Sequence, residues 1–168
     1  MPIDINLFNP HVQDEEDFVS GFVARSSELK FFLRQLKLQE KDQPANHHLV
    51  VAPKGFGKTS LLRRIGIELK RDPTLRWRYI PLVFREEQHN VISLDVFWRN
   101  CIQSYADLRE DQGAKESELD SLDELWEQAA PRHELSREDQ DGNFAYQALN
   151  NIAEQSKKRL VLLSLIHI

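Results

Sequence analysis

Residues 47–62 read HHLVVAPKGFGKTSLL. The apolar run Leu49–Ala52 predicts a short buried strand. A proline and two glycines then break the run into a loop, and the leucines and isoleucines that follow have the spacing of an amphipathic helix. The stretch therefore predicts a strand, a glycine-containing loop and a helix that begins near Lys58.

The loop matches the phosphate-binding pattern G-x-x-x-x-G-K-S/T, except that Ala52 stands at the first glycine position. Successive backbone N–H groups of such a loop point at a polyphosphate, and Gly55 and Gly57 let the backbone approach its oxygens. The amino end of the next helix adds unpaired N–H groups and the positive end of its dipole. Lys58 is expected to reach the β- and γ-phosphates, and the Thr59 hydroxyl to be a ligand of Mg²⁺. The candidate nucleotide-binding residues here are Ala52, Pro53, Lys54, Gly55, Phe56, Gly57, Lys58, Thr59 and Ser60.

The charge balance of the chain is mildly acidic. Lys and Arg number 22 against 27 Asp and Glu, which gives a net charge of −5 and no general attraction to nucleic acid or anionic lipid. The lone Cys101 excludes an internal disulfide framework and fits a reducing compartment. Because there is neither a membrane-length apolar stretch nor a signal peptide, the sequence predicts a cytoplasmic protein without a membrane partner.

The remaining elements are predicted from apolar periodicity and from caps and breakers. Residues 1–17 are expected to form an extended lead-in. Strands are predicted near 48–52, 77–84 and 159–164. Helices are predicted at about 27–39, after Lys58, after Ser93 and after Asp141. Pro81 favours an edge or bulged position within the second strand.

Residues 107–128 are rich in carboxylates. Ser121–Glu124 has the form of a capping box that opens a short helix. Because the charge is spread over both faces, the segment is expected to be a solvated insertion between core elements. A docking face for a basic partner is the alternative.

A second motif precedes the loop. Residues 22–25 read FVAR, and Glu28, Leu29 and a helix with leucine spacing follow. This segment resembles the F-V-G-R-x-x-E-L box of AAA-type ATPases of the archaeal-ATPase, origin-recognition and STAND groups. In that family the box lies against the adenine and ribose, so the resemblance makes Phe22 and Val23 candidate base contacts. Packing of Phe22 between its helix and the sheet is an equally good interpretation.

The resemblance covers most of residues 18–163 as a partial P-loop ATPase domain. It implies a three-layer α/β fold, a mostly parallel sheet with helices on both faces, truncated at the C-terminus. In the family the Walker B strand ends in an Asp that orients the magnesium shell, whereas this chain has Ser164 and Leu165 there. No catalytic residue is assigned, and residues 164–168 are expected to be a non-native tail.

The expected function is binding of ATP with Mg²⁺ as the N-terminal part of an AAA- or STAND-like ATPase. The implied partners are the nucleotide, downstream domains of the parent protein, and a DNA or protein partner that the sequence does not identify. Two alternatives remain open, namely a signalling switch that rarely hydrolyses ATP and an interaction module without turnover. A small-molecule kinase fits less well, because the box at 22–29 has no place in one.

Overall fold

The structure is a computed structural model that describes residues 14–40, 43–84, 91, 93–129 and 143–165. Its elements in chain order are α1 (Glu15–Gly21), α2 (Ser26–Leu38), α3 (Lys58–Arg71), α4 (Leu75–Arg78), β1 (Tyr79–Val83), α5 (Leu94–Asp111), α6 (Glu116–Gln128), α7 (Asn143–Ser156) and β2 (Arg159–Leu163). The chain divides into two compact units, Met1–Trp77 and Arg78–Ile168. Over the described ranges, no helix is long and apolar enough to cross a membrane.

The first unit is helical, with α2 and α3 in contact. Two arginine side chains of α3 contact residues of α1. The guanidinium of Arg63 lies 4.3 Å from the ring centroid of the buried Phe18, and Nη2 of Arg71 lies 2.7 Å from Oε1 of Glu15. Burial lowers the pKa of Arg63, and the nearby carboxylates of Glu15 and Asp14 oppose that shift. Helix α1 is therefore a packed element of this unit.

The second unit is built around two parallel strands. β1 and β2 pair in register, with Ile80 opposite Leu160 and Leu82 opposite Leu162. Helix α5 contacts β1, α6 and α7, and α7 contacts β2. The buried core consists of Ile80, Leu82, Phe84, Cys101, Ile102, Leu108, Ala129, Ala145 and Leu149. Cys101 is fully buried, as expected for a small apolar residue of α5, and burial raises its pKa to about 12.

The expected three-layer fold is wrong. The described residues are mostly helical, and their only sheet has two short strands rather than a mostly parallel sheet between layers of helices. The predicted strand at 48–52 has no regular secondary structure, and Leu49 and Val51 are 73% and 81% exposed. An apolar run becomes a strand only when a neighbouring strand satisfies its backbone. No described strand pairs with this run.

The other two predicted strands are present but shorter. β1 covers Tyr79–Val83, because Trp77 belongs to α4, and β2 covers Arg159–Leu163. Pro81 lies in β1 opposite Val161. At the amino end, α1 begins at Glu15, so the last residues of the expected extended lead-in are helical. Residues 1–13 of that lead-in and 166–168 of the expected tail lie outside the described residues.

The acidic segment is not an insertion. Helix α6 begins at Glu116, well before the predicted capping box, and packs on α5 with Leu122 buried. Leu125 and Trp126 lie against the core of the second unit. The guanidinium of Arg99 stacks on Trp126, 3.4 Å from the ring centroid, and its Nε donates to the Trp126 carbonyl. The spacing of the apolar residues therefore indicates the extent of this helix better than the capping box predicted at Ser121–Glu124.

Candidate functional site

The loop between Ala52 and α3 changes direction at its two glycines. Gly55 and Gly57 have φ angles of 83° and 71°, in the left-handed region that favours glycine. The Phe56 N–H donates to the Pro53 carbonyl at 3.3 Å. The Gly57 carbonyl accepts the first hydrogen bond of α3, so the helix starts at the residue where the sequence predicts its start.

The space in front of both glycines is open. A Cβ atom built on Gly55 or Gly57 would meet no atom within 4 Å apart from those of its own and the two adjacent residues. The ring of Phe56 is also largely exposed. A ligand can therefore approach the backbone of this loop closely, as a cradle for phosphate oxygens requires.

Lys58 folds back over the loop that precedes it. Its Nζ donates to the Ala52 carbonyl at 2.8 Å and to the Pro53 carbonyl at 3.0 Å. An ammonium group has three N–H donors, so two of them close the loop and one is left for another acceptor. The lysine thus has its charge at the point where the motif predicts contact with phosphate.

Thr59 and Ser60 lie in the first turn of α3 and are half-buried. The first N–H groups of a helix have no partner within it, and this first turn contains no carboxylate that would neutralise the helix dipole. Within the described ranges, no three His, Cys, Asp or Glu side chains group to hold a metal. A magnesium ion here would depend on Thr59, water and the phosphates themselves.

The motif at residues 22–25 contacts helix α3, which follows the phosphate-loop motif. The Phe22 ring lies 6.0 Å from the ring of Phe18, and the Arg64 guanidinium lies 5.9 Å from the Phe22 centroid. Val23 is 83% exposed. Phe22 thus packs with side chains of α1 and α3, whereas Val23 remains open to solvent.

Two arginines were not among the predicted site residues. Arg64 has its Nη2 atom 2.7 Å from Glu68, but its Nε and Nη1 atoms are buried without a hydrogen-bond partner in the described structure. Nη1 of Arg25 is likewise buried without a partner, and this residue has a positive φ of 61°. For Arg25, the only sequence feature that could have identified it as a site residue is its place in the motif at residues 22–25. No sequence feature identifies Arg64, because its contact with Phe22 joins distant parts of the chain.

The end of β2 has no carboxylate. β2 ends at Leu163, and Ser164 follows with a buried Oγ that lacks a hydrogen-bond partner among described atoms. Leu165 comes next and is half-buried. Glu86 and Glu87, the nearest carboxylates after β1, lie outside the described residues.

Comparison of the chain with protein-family models, with curated proteins and with solved structures finds no match.

Proposed function

We propose that this chain binds ATP with Mg²⁺ through residues 52–60. The observation that carries the proposal is the loop itself. Two glycines with positive φ face open space directly before a fourteen-residue helix, and the ammonium of Lys58 lies over the same loop. Backbone donors, a helix amino end and a cation converge here, and that combination suits a polyphosphate.

Each residue has a defined role in this proposal. Lys58 donates its third N–H to a phosphate oxygen while it keeps the Ala52 and Pro53 carbonyls, and a charge-assisted hydrogen bond of this kind is stronger than a neutral one. Thr59 holds the magnesium ion, which neutralises phosphate charge when bound. Phe22 and Val23 are the proposed base contacts.

The proposed activity is binding without turnover in the 168-residue chain. Phosphoryl transfer to water needs a positioned water and neutralised charge, and neither Ser164 nor Leu165 can supply a carboxylate for this. We propose that the parent protein is a cytoplasmic, nucleotide-driven switch or motor of the AAA- or STAND-like type. Its downstream domains, together with a DNA or protein partner, would respond to the bound nucleotide.

A competition series tests the proposal. A fluorescent ATP analogue is bound to the chain with Mg²⁺ and displaced by ATP, ADP, AMP or tripolyphosphate. If the loop binds the β- and γ-phosphates, ATP should bind at least about tenfold more tightly than AMP, a difference of about 1.4 kcal/mol in binding free energy. Equal competition by ATP and AMP, or failure of ATP to displace the analogue, would overturn the proposal.

Turnover is measured separately by phosphate release. We expect no steady-state rate above the background without protein. A rate of about 1 s⁻¹ or more, within the usual range of enzymes, would show that another carboxylate replaces the missing one. Glu86 and Glu87 would then be the first residues to change.

A further inference from the structure

The chain enters the phosphate-loop motif through a straight, uncharged segment. Residues 45–52, the uncharged run, lie between Pro44 and Pro53 and contain no Asp, Glu, Lys, Arg, Pro or Gly. They form neither helix, turn nor bend, so their backbone follows a straight path. Short segments that are rich in β-branched residues and lack charge, proline and glycine pair readily with another strand. The run therefore has the composition of a strand, although no described strand of the chain pairs with it.

Every second side chain of the uncharged run lies against the protein. The ring of His48 lies 5.9 Å from that of Phe31 and 5.4 Å from that of Phe32, both in α2. Val50 and Ala52 are half-buried. A spacing of two residues is that of a strand with one face on the protein. The contacts of His48 with α2 therefore determine which face of the run is covered.

The residues between these covered positions are open to solvent. The side chains of Leu49 and Val51 are 73% and 81% exposed although both are aliphatic. In the described part of the chain, no backbone N–H or C=O group of residues 45–51 makes a hydrogen bond. Exposed apolar side chains and unpaired backbone groups thus lie along the same segment. An edge strand offers this combination to another chain.

Lys58 determines which edge of the run remains open. In a straight strand, the backbone groups of alternate residues point to opposite edges. The Nζ atom of Lys58 lies 2.8 Å from the Ala52 carbonyl and so occupies the edge of the even-numbered residues. The N–H and C=O groups of Leu49 and Val51 belong to the other edge. A pairing strand would therefore bond to these two residues.

We propose that the uncharged run pairs antiparallel with the same run of a second copy of this chain. A two-fold axis at Val50 places Leu49 of each copy opposite Val51 of the other, and each such pair exchanges two backbone hydrogen bonds. Residues directly opposite each other share a face, so the exposed aliphatic side chains of the two copies contact one another. The pair is closed, because it uses the open edge of both runs. This proposal does not depend on nucleotide binding.

The run is self-complementary, which favours a second copy over an unrelated strand. It has no charge that would repel its own copy or select an oppositely charged segment. The axis at Val50 pairs each exposed aliphatic residue with another. An axis at Leu49 would instead place His47 opposite Val51, so the aliphatic contacts also select the register.

The first test is the mass of the full chain in solution, measured by sedimentation over about a hundredfold range of protein concentration. We expect a reversible change from one copy to two. Leu94, in α5, is 62% exposed and provides the control for Leu49. Leu49→Lys should weaken association at least about tenfold, and Leu94→Lys should leave it nearly unchanged. A chain that stays monomeric, species larger than two copies, or equal weakening by both variants would overturn the proposal.

Two double variants test the antiparallel register. Leu49→Lys with Val51→Glu places opposite charges across the two-fold axis, whereas Leu49→Lys with Val51→Lys places like charges there. Both variants replace the same two exposed side chains, so the loss of aliphatic contact is matched. The first variant should associate at least about tenfold more tightly than the second. Equal association of the two variants, or its equal absence, would contradict the register.

Amide exchange locates the interface without any substitution. In the proposed pair, the N–H groups of Leu49 and Val51 are hydrogen-bonded to the second copy and that of Val50 is not. Residue-resolved exchange measured by NMR should therefore slow at Leu49 and Val51 as the protein concentration rises, and much less at Val50. A dimer that forms without slower exchange at Leu49 and Val51 would overturn the proposal, because it would use another surface.

Discussion

The Nζ atom of Lys58 lies 2.8 Å from the carbonyl oxygen of Ala52, so one side chain joins the two ends of the phosphate-loop motif. A second bond to the Pro53 carbonyl, at 3.0 Å, completes the closure. The loop is thereby held in a turn before any ligand contacts it. Less conformational entropy is then lost on binding, because the backbone donors need not be ordered by the ligand.

The positive φ of Gly57 should be needed for both stability and binding. Alanine at this position would have to adopt the left-handed region at a cost of about 1–2 kcal/mol. Gly113, after α5, has nearly the same φ, 72° against 71°, and provides the control. We expect Gly57→Ala and Gly113→Ala to lower the free energy of unfolding by similar amounts in denaturant titrations. Only Gly57→Ala should also weaken ATP binding, and an equal loss of affinity in Gly113→Ala would contradict this.

Lys157 is a position where glycine should stabilise the protein. It follows the last residue of α7 with a φ of 56°, and its N–H donates to the Glu154 carbonyl at 3.0 Å. A non-glycine residue is strained there, so Lys157→Gly should raise the free energy of unfolding by about 0.5–1 kcal/mol. Lys158 lacks a positive φ, and Lys158→Gly should therefore lower stability. The idea fails if thermal melts show destabilisation by both changes.

The ion pair between Arg109 and Glu118 should make stability depend on acid pH. The hydrogen bonds of Arg109 hold the pKa of Glu118 below its usual range. The pair therefore contributes stability above the unfolded-state pKa of about 4.3, and this is lost as pH falls through the lower folded-state pKa. Because the Glu118 side chain is 41% exposed, the contribution should stay below about 1 kcal/mol.

The pH dependence is tested with two neighbouring carboxylates of α6. Thermal unfolding of Glu118→Gln should show a shallower loss of stability below pH of about 4.3 than the unchanged chain. Glu116 is exposed in the first turn of the same helix, and Glu116→Gln should retain nearly the full pH dependence. Identical profiles for the unchanged chain and Glu118→Gln would rule out the pair as their cause.

Local patterns identified elements better than they identified the architecture. The predicted start of α3 at Lys58 is confirmed, and the strands predicted near 77–84 and 159–164 are present as the shorter strands 79–83 and 159–163, because periodicity and breakers act over a few residues. The prediction of a strand at 48–52 is wrong because a strand needs a partner strand, which the residues of the run do not specify. Likewise, the contact of Arg64 with Phe22 joins distant parts of the chain, and no spacing rule contains it.

Calorimetric titration of ATP with Mg²⁺ into the unchanged chain, Lys58→Ala and Lys54→Ala tests the central claim most directly. Lys58→Ala removes a charge-assisted phosphate contact worth about 1.5–3 kcal/mol, so the affinity should fall about tenfold to a hundredfold. Lys54 is exposed in the same loop and is expected to contribute through its backbone N–H, so Lys54→Ala should retain nearly full affinity. Absence of binding by the unchanged chain, or equal affinities of the unchanged chain and Lys58→Ala, would contradict nucleotide binding by this loop.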